Sequence, residues 1–270
     1  MVKIETVCRT LGPVIQKMDN HQYRRTNKAY PKDYLKNFNL NSVEWLRYLK
    51  IFDTIRNTNP LSVNRAPRVL EIGTNLGIFT SAYRNIFPDH QLYSLDHPVM
   101  AREAANCLFP ELRKQGVHMA VSDIQKPLPF ADHCFDIVLF LAVIEHLPNS
   151  PRLQLNEIHR VLKPDGFLFL DTPNLGAFER KYNMLLHGKG PYFELNHFFF
   201  SESPFSGHHR EYNLNDLKQM LEWSHFKVTE TSYFDCALRR CSNVKSLLAK
   251  IACRKIARLR HAIALVAQPI

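Results

Sequence analysis

An α/β fold built on a mostly parallel sheet is expected from three features of this 270-residue chain. Short apolar strands alternate with helical segments from Arg68 onward, the pattern that covers a doubly wound sheet with helices on both faces. The run Val69-Leu70-Glu71-Ile72 passes straight into Gly73-Thr74-Asn75-Leu76-Gly77, so a buried strand ends in a glycine turn where backbone can approach a ligand closely. A second apolar run ends in an acid, Asp96, where a carboxylate can accept both hydroxyls of a ribose. Together the turn and the acid suit an adenosine-containing cofactor.

The elements follow in order. Asn41 and Glu44 fit a capping box, and Trp45, Tyr48, Leu49, Phe52 and Ile55 recur at helical spacing, which predicts a helix over 41–56. Residues 1–66 read as an N-terminal helical cap and 67–270 as the domain proper. Strand 68–72, helix 76–86, strand 91–95, helix 99–115, strands 117–121 and 135–141, helix 150–162 and strand 167–171 then alternate. The stretch from Pro173 to Tyr212 reads as irregular, is too long for an ordinary αβ connection and is rich in aromatics. It leaves the carboxyl edge of the sheet above the ligand crevice, which predicts an acceptor-binding lid over 173–212. The plainer reading of its aromatics is a small satellite core. A helix at 214–223, a strand at 226–231, a basic helix near 243–260 and a last apolar run, 262–267, complete the chain.

The net charge of +10 is unevenly spread. Residues 1–60 hold 11 Lys and Arg against 5 Asp and Glu, residues 236–261 hold 8 against none, and the rest is slightly acidic, so the basic excess belongs to the terminal segments. Six scattered cysteines without a Cys-x-x-Cys pair indicate neither a zinc ribbon nor a disulfide framework. No apolar stretch approaches the ~20 residues of a membrane span, and charges interrupt the N-terminus where a signal peptide is continuously apolar. A cytoplasmic protein is expected. In the basic helix, Val244, Leu247, Leu248, Ile251, Ala252, Ile256 and Leu259 fall on one side and Lys245, Lys250, Arg254, Arg258 and Arg260 largely on the other. That pattern suits docking on the sheet with a solvated basic face, or peripheral contact with an anionic membrane.

Gly73 and Gly77 are four apart, which departs from the Gly-x-Gly-x-x-Gly of a dinucleotide fold and weakens a nicotinamide reading. A second block decides the family. It runs from Ser122-Asp123-Ile124 through Leu128-Pro129-Phe130-Ala131-Asp132 and Phe135-Asp136-Ile137-Val138-Leu139-Phe140 to Glu145-His146-Leu147 and Ile158-His159-Arg160-Val161-Leu162-Lys163-Pro164-Asp165-Gly166. Over residues 66–175, with an echo at 208–226, the sequence resembles the class I S-adenosylmethionine-dependent methyltransferases, specifically the type 11 group that includes ubiquinone and menaquinone ring methyltransferases. The resemblance implies a Rossmann-like seven-stranded sheet of order 3-2-1-4-5-7-6 with strand 7 antiparallel.

It also implies a cofactor site for S-adenosyl-L-methionine. Glu71, Gly73, Thr74, Asn75 and Gly77 would surround its methionine part, Asp96 with neighbouring His97 its ribose, and Asp123 and Ile124 its adenine. Phe140 and Leu141 would line the sulfonium channel. Acceptor carboxylates opposite donor hydroxyls and an exocyclic amine agree with this. Asn75 stands where the family usually has glycine, and asparagine tolerates positive φ better than most residues.

Methyl transfer from a sulfonium needs an aligned nucleophile and a base for its proton. His146 is the first candidate base, with Glu145 and His208 beside it, against the plainer reading that Glu145 and His146 only tie a loop. Relatives with Glu-x-x-Glu-His here bind a divalent metal; Ala142 replaces the first Glu, so no metal is expected, and Glu145, His146 and His208 or His209 are the set that would assemble one. Gly207-His208-His209-Arg210-Glu211-Tyr212 resembles the Gly-His-x-Arg-x-Tyr of sugar- and lipid-modifying relatives, which makes His208, Arg210 and Tyr212 acceptor contacts, with His209 beside them in the substrate-binding set. The expected reaction is methylation of a hydroxyl oxygen on a small-molecule, sugar or lipid-linked acceptor. The alternatives are an RNA methyltransferase, disfavoured by the lack of any recognisable RNA-binding module, and a non-catalytic cofactor-binding subunit.

Overall fold

In the computed structural model the described residues are 44–58, 65–75, 77–98, 108–190, 198–200, 207–234 and 244–270. They form α1 (Glu44–Thr58), β1 (Arg68–Ile72), α2 (Ile78–Ile86), β2 (Gln91–Asp96), α3 (Leu108–Lys114), β3 (His118–Val121), β4 (Phe135–Leu141), α4 (Arg152–Val161), β5 (Leu162–Pro173), α5 (Phe178–His187), α6 (Leu214–Trp223), β6 (Phe226–Phe234), α7 (Val244–Lys255) and β7 (Ala262–Pro269). The strands make one sheet of order β3-β2-β1-β4-β5-β7-β6, in which β7 runs antiparallel to both neighbours and all other pairs are parallel. This is the sheet expected from the sequence.

Alternation along the central strands divides the core. Ile137 and Leu139 of β4 face a cluster with Val69, Tyr83 and Phe109, while Val138 and Phe140 face a second cluster with Leu70, Ile158 and Leu217. Helices α1, α2 and α3 therefore cover one face and α4 and α6 the other. Helix α1, expected to precede the domain, is part of this core. Its Phe52 is fully buried and stacks on Phe79 of α2 at 5.1 Å. Burial of four of its side chains, Tyr48, Ile51, Phe52 and Ile55, offsets the ordering of that helix by several kcal/mol at about 2 kcal/mol each.

At the amino edge of the sheet, Asp136 gathers the start of the fold. It accepts from the Arg68 amide at 2.8 Å, from Lys163 at 2.7 Å and from Arg65 at 2.6 Å. Partial burial opposes ionisation, but the amide and the two cations prevail and hold its carboxyl below the usual range. This clamp ties the segment before β1 to β4 and β5, at the end away from the glycine turn.

Several boundaries differ from expectation. Helix α2 starts at Ile78, because Thr74–Gly77 forms the turn and Gly77 carries φ +63°. Positions 99–107 of the helix predicted at 99–115 lie outside the described residues, and Leu108–Lys114 is helical. Strands β5 and β6 run on to Pro173 and Phe234 because both pair with Ala262 at the start of β7. The 173–212 stretch is not wholly irregular, since it contains α5, a helix with no buried residue. Helix α7 ends at Lys255 rather than 260, and the face it buries holds Cys253, whereas Leu248 and Ile251 point outward. Among the described residues no helix is long and apolar enough to cross a membrane.

Candidate active site

β1 and β4 are neighbours in the sheet, yet the chain leaves β1 toward β2 on one side and reaches β4 on the other. Their carboxyl ends therefore flank the crevice where doubly wound sheets bind ligands. The turn after β1 is built by backbone geometry. Gly73 has φ +88° and Asn75 φ +48°, and a Cβ at Gly73 would sit 2.5 Å from Val143 Cγ2. Glycine is thus required twice at position 73, by conformation and by the side chain after β4. Asn75 does adopt the left-handed conformation that its replacement of a glycine demands.

Asp96 closes β2 directly beside this turn. Its two oxygens accept from the Asn75 amide and the His97 amide, both at 2.7 Å. The residue is only 7% exposed, and burial raises its pKa above the ordinary value while the two amides pull it back. His97 Nε2 lies 3.8 Å from Asp123 Oδ1, so His97 meets the acid after β2 through its amide and the acid after β3 through its ring. Asp123 itself accepts from the Gln125 amide at 2.9 Å, and Ile124 follows, partly buried against the second core cluster. The sequence-predicted ribose and adenine residues are therefore together at one sheet edge.

Glu71 is placed differently from Asp96. It is buried under the turn, where Thr80 Oγ1 and Ser94 Oγ donate to its Oε2. Burial pushes its carboxyl up to about 7, with the two hydroxyls opposing and the Asp96 charge adding. Thr74 Oγ1 and Ser94 Oγ are 2.5 Å apart, so the turn, β2 and α2 share one buried polar network. Phe140 and Leu141, expected side by side at the sulfonium, point to opposite faces: Phe140 is enclosed in the second core cluster and Leu141 packs against the first.

Beyond β4, Ala142 has φ +53°, an uncommon conformation for alanine. It is held by Asp171, whose Oδ1 accepts from the Ala142 amide at 2.8 Å and whose Oδ2 lies 2.9 Å from Arg47 Nε of α1. This bend carries the chain into a 3₁₀ turn, Ile144–His146. Glu145 is buried there and accepts from Thr172 Oγ1 at 3.0 Å. Burial pushes its carboxyl up to about 7; its own amide and His208 lower it, and Asp171 raises it.

The Gly207–Tyr212 segment folds onto this turn, with the His209 amide donating to the Glu145 carbonyl at 2.7 Å. His146 Nδ1 donates to the Gly207 carbonyl at 3.2 Å, and the His146 and His208 rings meet edge to face at 4.8 Å. His208 Nδ1 in turn donates to Glu211 Oε1 at 3.1 Å, and Arg180 of α5 pairs with the same carboxylate. Donation through Nδ1 leaves the lone pair of both rings on Nε2, the atom that can take a proton. Glu145, His146 and His208 also offer ligand atoms that all lie within 4.8 Å of one another, a spacing that could hold a divalent ion.

One sequence expectation needs correction here. Tyr212 is 2% exposed and belongs to the second core cluster, so it packs beneath Arg210 rather than offering an open surface to an acceptor. His208, His209 and the exposed Arg210 have side chains outside the core. Sequence reading also missed Glu211, Arg180 and Asp171, which set the positions of His208 and Ala142. Their only signal was an ordinary charged residue near a motif.

A methyltransferase domain family matches residues 20–231. The chain belongs to that family. Methyltransferase str2 of Strobilurus tenacellus is 27% identical over 135 residues, 48% of this chain and 46% of that protein. The malonyl-[acyl-carrier protein] O-methyltransferase of Laribacter hongkongensis is 31% identical over 117 residues, 41% of this chain and 39% of its own length. The chain thus spans less than half the length of these curated relatives. Among solved structures, a chain in the complex of the Haloferax volcanii Trm112 methyltransferase activator superposes with a TM-score of 0.55 at 14% identity, covering 100% of this chain and 99% of that one. At that identity the likeness shows the fold. Family and fold make this a class I methyltransferase domain and imply S-adenosyl-L-methionine as its cofactor.

Proposed function

We propose that the protein transfers the methyl group of S-adenosyl-L-methionine to a hydroxyl oxygen of a small-molecule, sugar or lipid-linked acceptor. The observation that carries this reading is the contact between the two halves of the site: the β1 turn at Gly73 lies against Val143, and three residues later stands His146, ring to ring with His208. The turn, Asp96, His97 and Asp123 fit the polar groups of the cofactor. Bound there, the cofactor supplies an electrophilic methyl carbon, and the chain's own residues then orient the acceptor and take its proton.

His208 is the base of this reading, with Glu211 as the carboxylate that fixes its tautomer and stabilises the imidazolium it becomes. His146 holds the second ring in place through its bond to Gly207, and buried Glu145 adds negative charge on the same side. His209 and Arg210 are the polar contacts proposed for the acceptor, with the 173–212 segment as its lid. A hydroxyl is favoured over a carboxylate acceptor because a carboxylate needs no base and would meet the Glu145 and Glu211 charges. The relative from Laribacter hongkongensis is by its name an O-methyltransferase, which supports oxygen as the acceptor atom.

The test is methyl incorporation from labelled cofactor across a panel of hydroxylated acceptors, with purified protein and its His208→Ala variant. Incorporation that the variant loses supports the reading; saturable cofactor binding without incorporation across the panel contradicts it and favours a binding subunit. A second reading follows from the 4.8 Å cluster of Glu145, His146 and His208, in which a divalent ion lowers the pKa of the acceptor hydroxyl by coordination. Loss of turnover after chelation, restored by added divalent metal, distinguishes this version from the metal-free base.

A further inference from the structure

Among the described residues, most large apolar side chains that the fold leaves exposed are concentrated on two segments, the insertion that holds α5 and helix α7. Helix α5 buries nothing, and its Leu185 and Leu186 are 78% and 64% exposed. Helix α7, which packs beside α5, turns Leu248 (50%) and Ile251 (48%) outward. Phe199 and Phe200, in the same insertion as α5, are also exposed. Isolated exposed leucines need no explanation, but clustering on adjacent helices marks a contact surface.

Charge identifies the occupant. Residues 244–260 contain six Lys and Arg and no Asp or Glu, and Arg254 and Lys255 are exposed on the face that carries Leu248 and Ile251. On α5, exposed Lys181 and Lys189 flank the leucines, against a single exposed acid, Glu179. Apolar side chains that protrude from two helices, bordered by cations, match the acyl boundary and anionic headgroups of a lipid surface. A second copy of this face would set like charges against one another. The expected separation of apolar and basic sides on α7 is not observed, because burial of Cys253 turns both toward solvent together.

We propose that the outer face of α5 and α7 docks on an anionic lipid bilayer. Vesicle binding is read without turnover, so the contact is tested apart from methyl transfer. The protein is sedimented with phosphatidylcholine vesicles carrying phosphatidylserine and with pure phosphatidylcholine vesicles, at about 0.05 M and 0.5 M salt. Binding to the anionic vesicles alone is expected, weaker at high salt. Arg254→Glu combined with Lys255→Glu, and separately Leu185→Glu, each weaken it by about tenfold or more while the thermal melt is retained. No binding to anionic vesicles at low salt overturns the proposal. So does binding that both variants leave unchanged, or a dimer or complex with an acidic protein that Leu185→Glu abolishes in place of vesicle binding.

Discussion

His208 Nδ1 lies 3.1 Å from Glu211 Oε1, a carboxylate whose side chain has no exposed surface. An imidazole held in this way has a fixed tautomer, and the buried charge stabilises the imidazolium formed when Nε2 takes a proton. His208→Ala is expected to lower kcat by about 10²-fold or more, the usual contribution of a positioned base. Glu211→Gln keeps the shape and removes the charge, so it lowers kcat by a smaller factor with cofactor affinity unchanged. Single-turnover rates alongside cofactor Kd measure both.

Glu145 ionises at about 7 in the folded protein because burial disfavours its charge. Below that pH it is protonated and gives His208 no electrostatic support; above it, the carboxylate favours the imidazolium. Methyl-transfer activity therefore rises through pH 7, and Glu145→Gln removes that inflection while leaving any others. A pH–rate profile of the two proteins checks this.

Gly73→Ala brings a Cβ to 2.5 Å from Val143 Cγ2 at a φ of +88°. The clash and the left-handed backbone together cost about 2–4 kcal/mol. Adding Val143→Ala relieves the clash and recovers part of that loss, leaving the backbone strain. Chemical denaturation of the two single variants and the double variant measures the coupling.

Glu71 has an unfolded value near 4.5 and a folded one near about 7. Between these values Glu71 binds more proton in the folded chain than in the unfolded one, so its contribution to stability is greatest below about 4.5 and falls as pH rises through 7. Glu71 alone accounts for up to about 3 kcal/mol of this slope. Glu71→Gln keeps an acceptor for Thr80 and Ser94 and flattens the slope, which denaturant melts between these two pH values detect.

The sheet was legible in the sequence because its strands are short apolar runs ending in glycine or acid, and because the resemblance supplied their order. Asp96 was legible as an acid that closes such a run, and Asp123 was named only through the resemblance. Helix α5 was not, since hydrophobic periodicity reveals a helix through the stripe it buries and α5 buries none. The orientation of α7 was hidden in a related way: its apolar spacing is compatible with more than one buried face, and packing around Cys253 selected one the spacing did not favour. Glu211 and Asp171 were missed because an acid that orients a histidine or a backbone amide looks in sequence like any other. Phe140 and Tyr212 fell near motifs, but the pleat and the core, which decide direction, lie in neighbouring strands and helices.

The account rests on a cofactor held between the β1 turn and the acid after β2. Calorimetric titration of S-adenosyl-L-methionine into the protein and its Asp96→Ala variant tests this most directly. Saturable single-site binding is expected, weakened about 10- to 100-fold in the variant by loss of hydrogen bonds to a charged acceptor. Absence of saturable binding by the folded parent protein, or equal affinity in both, contradicts it.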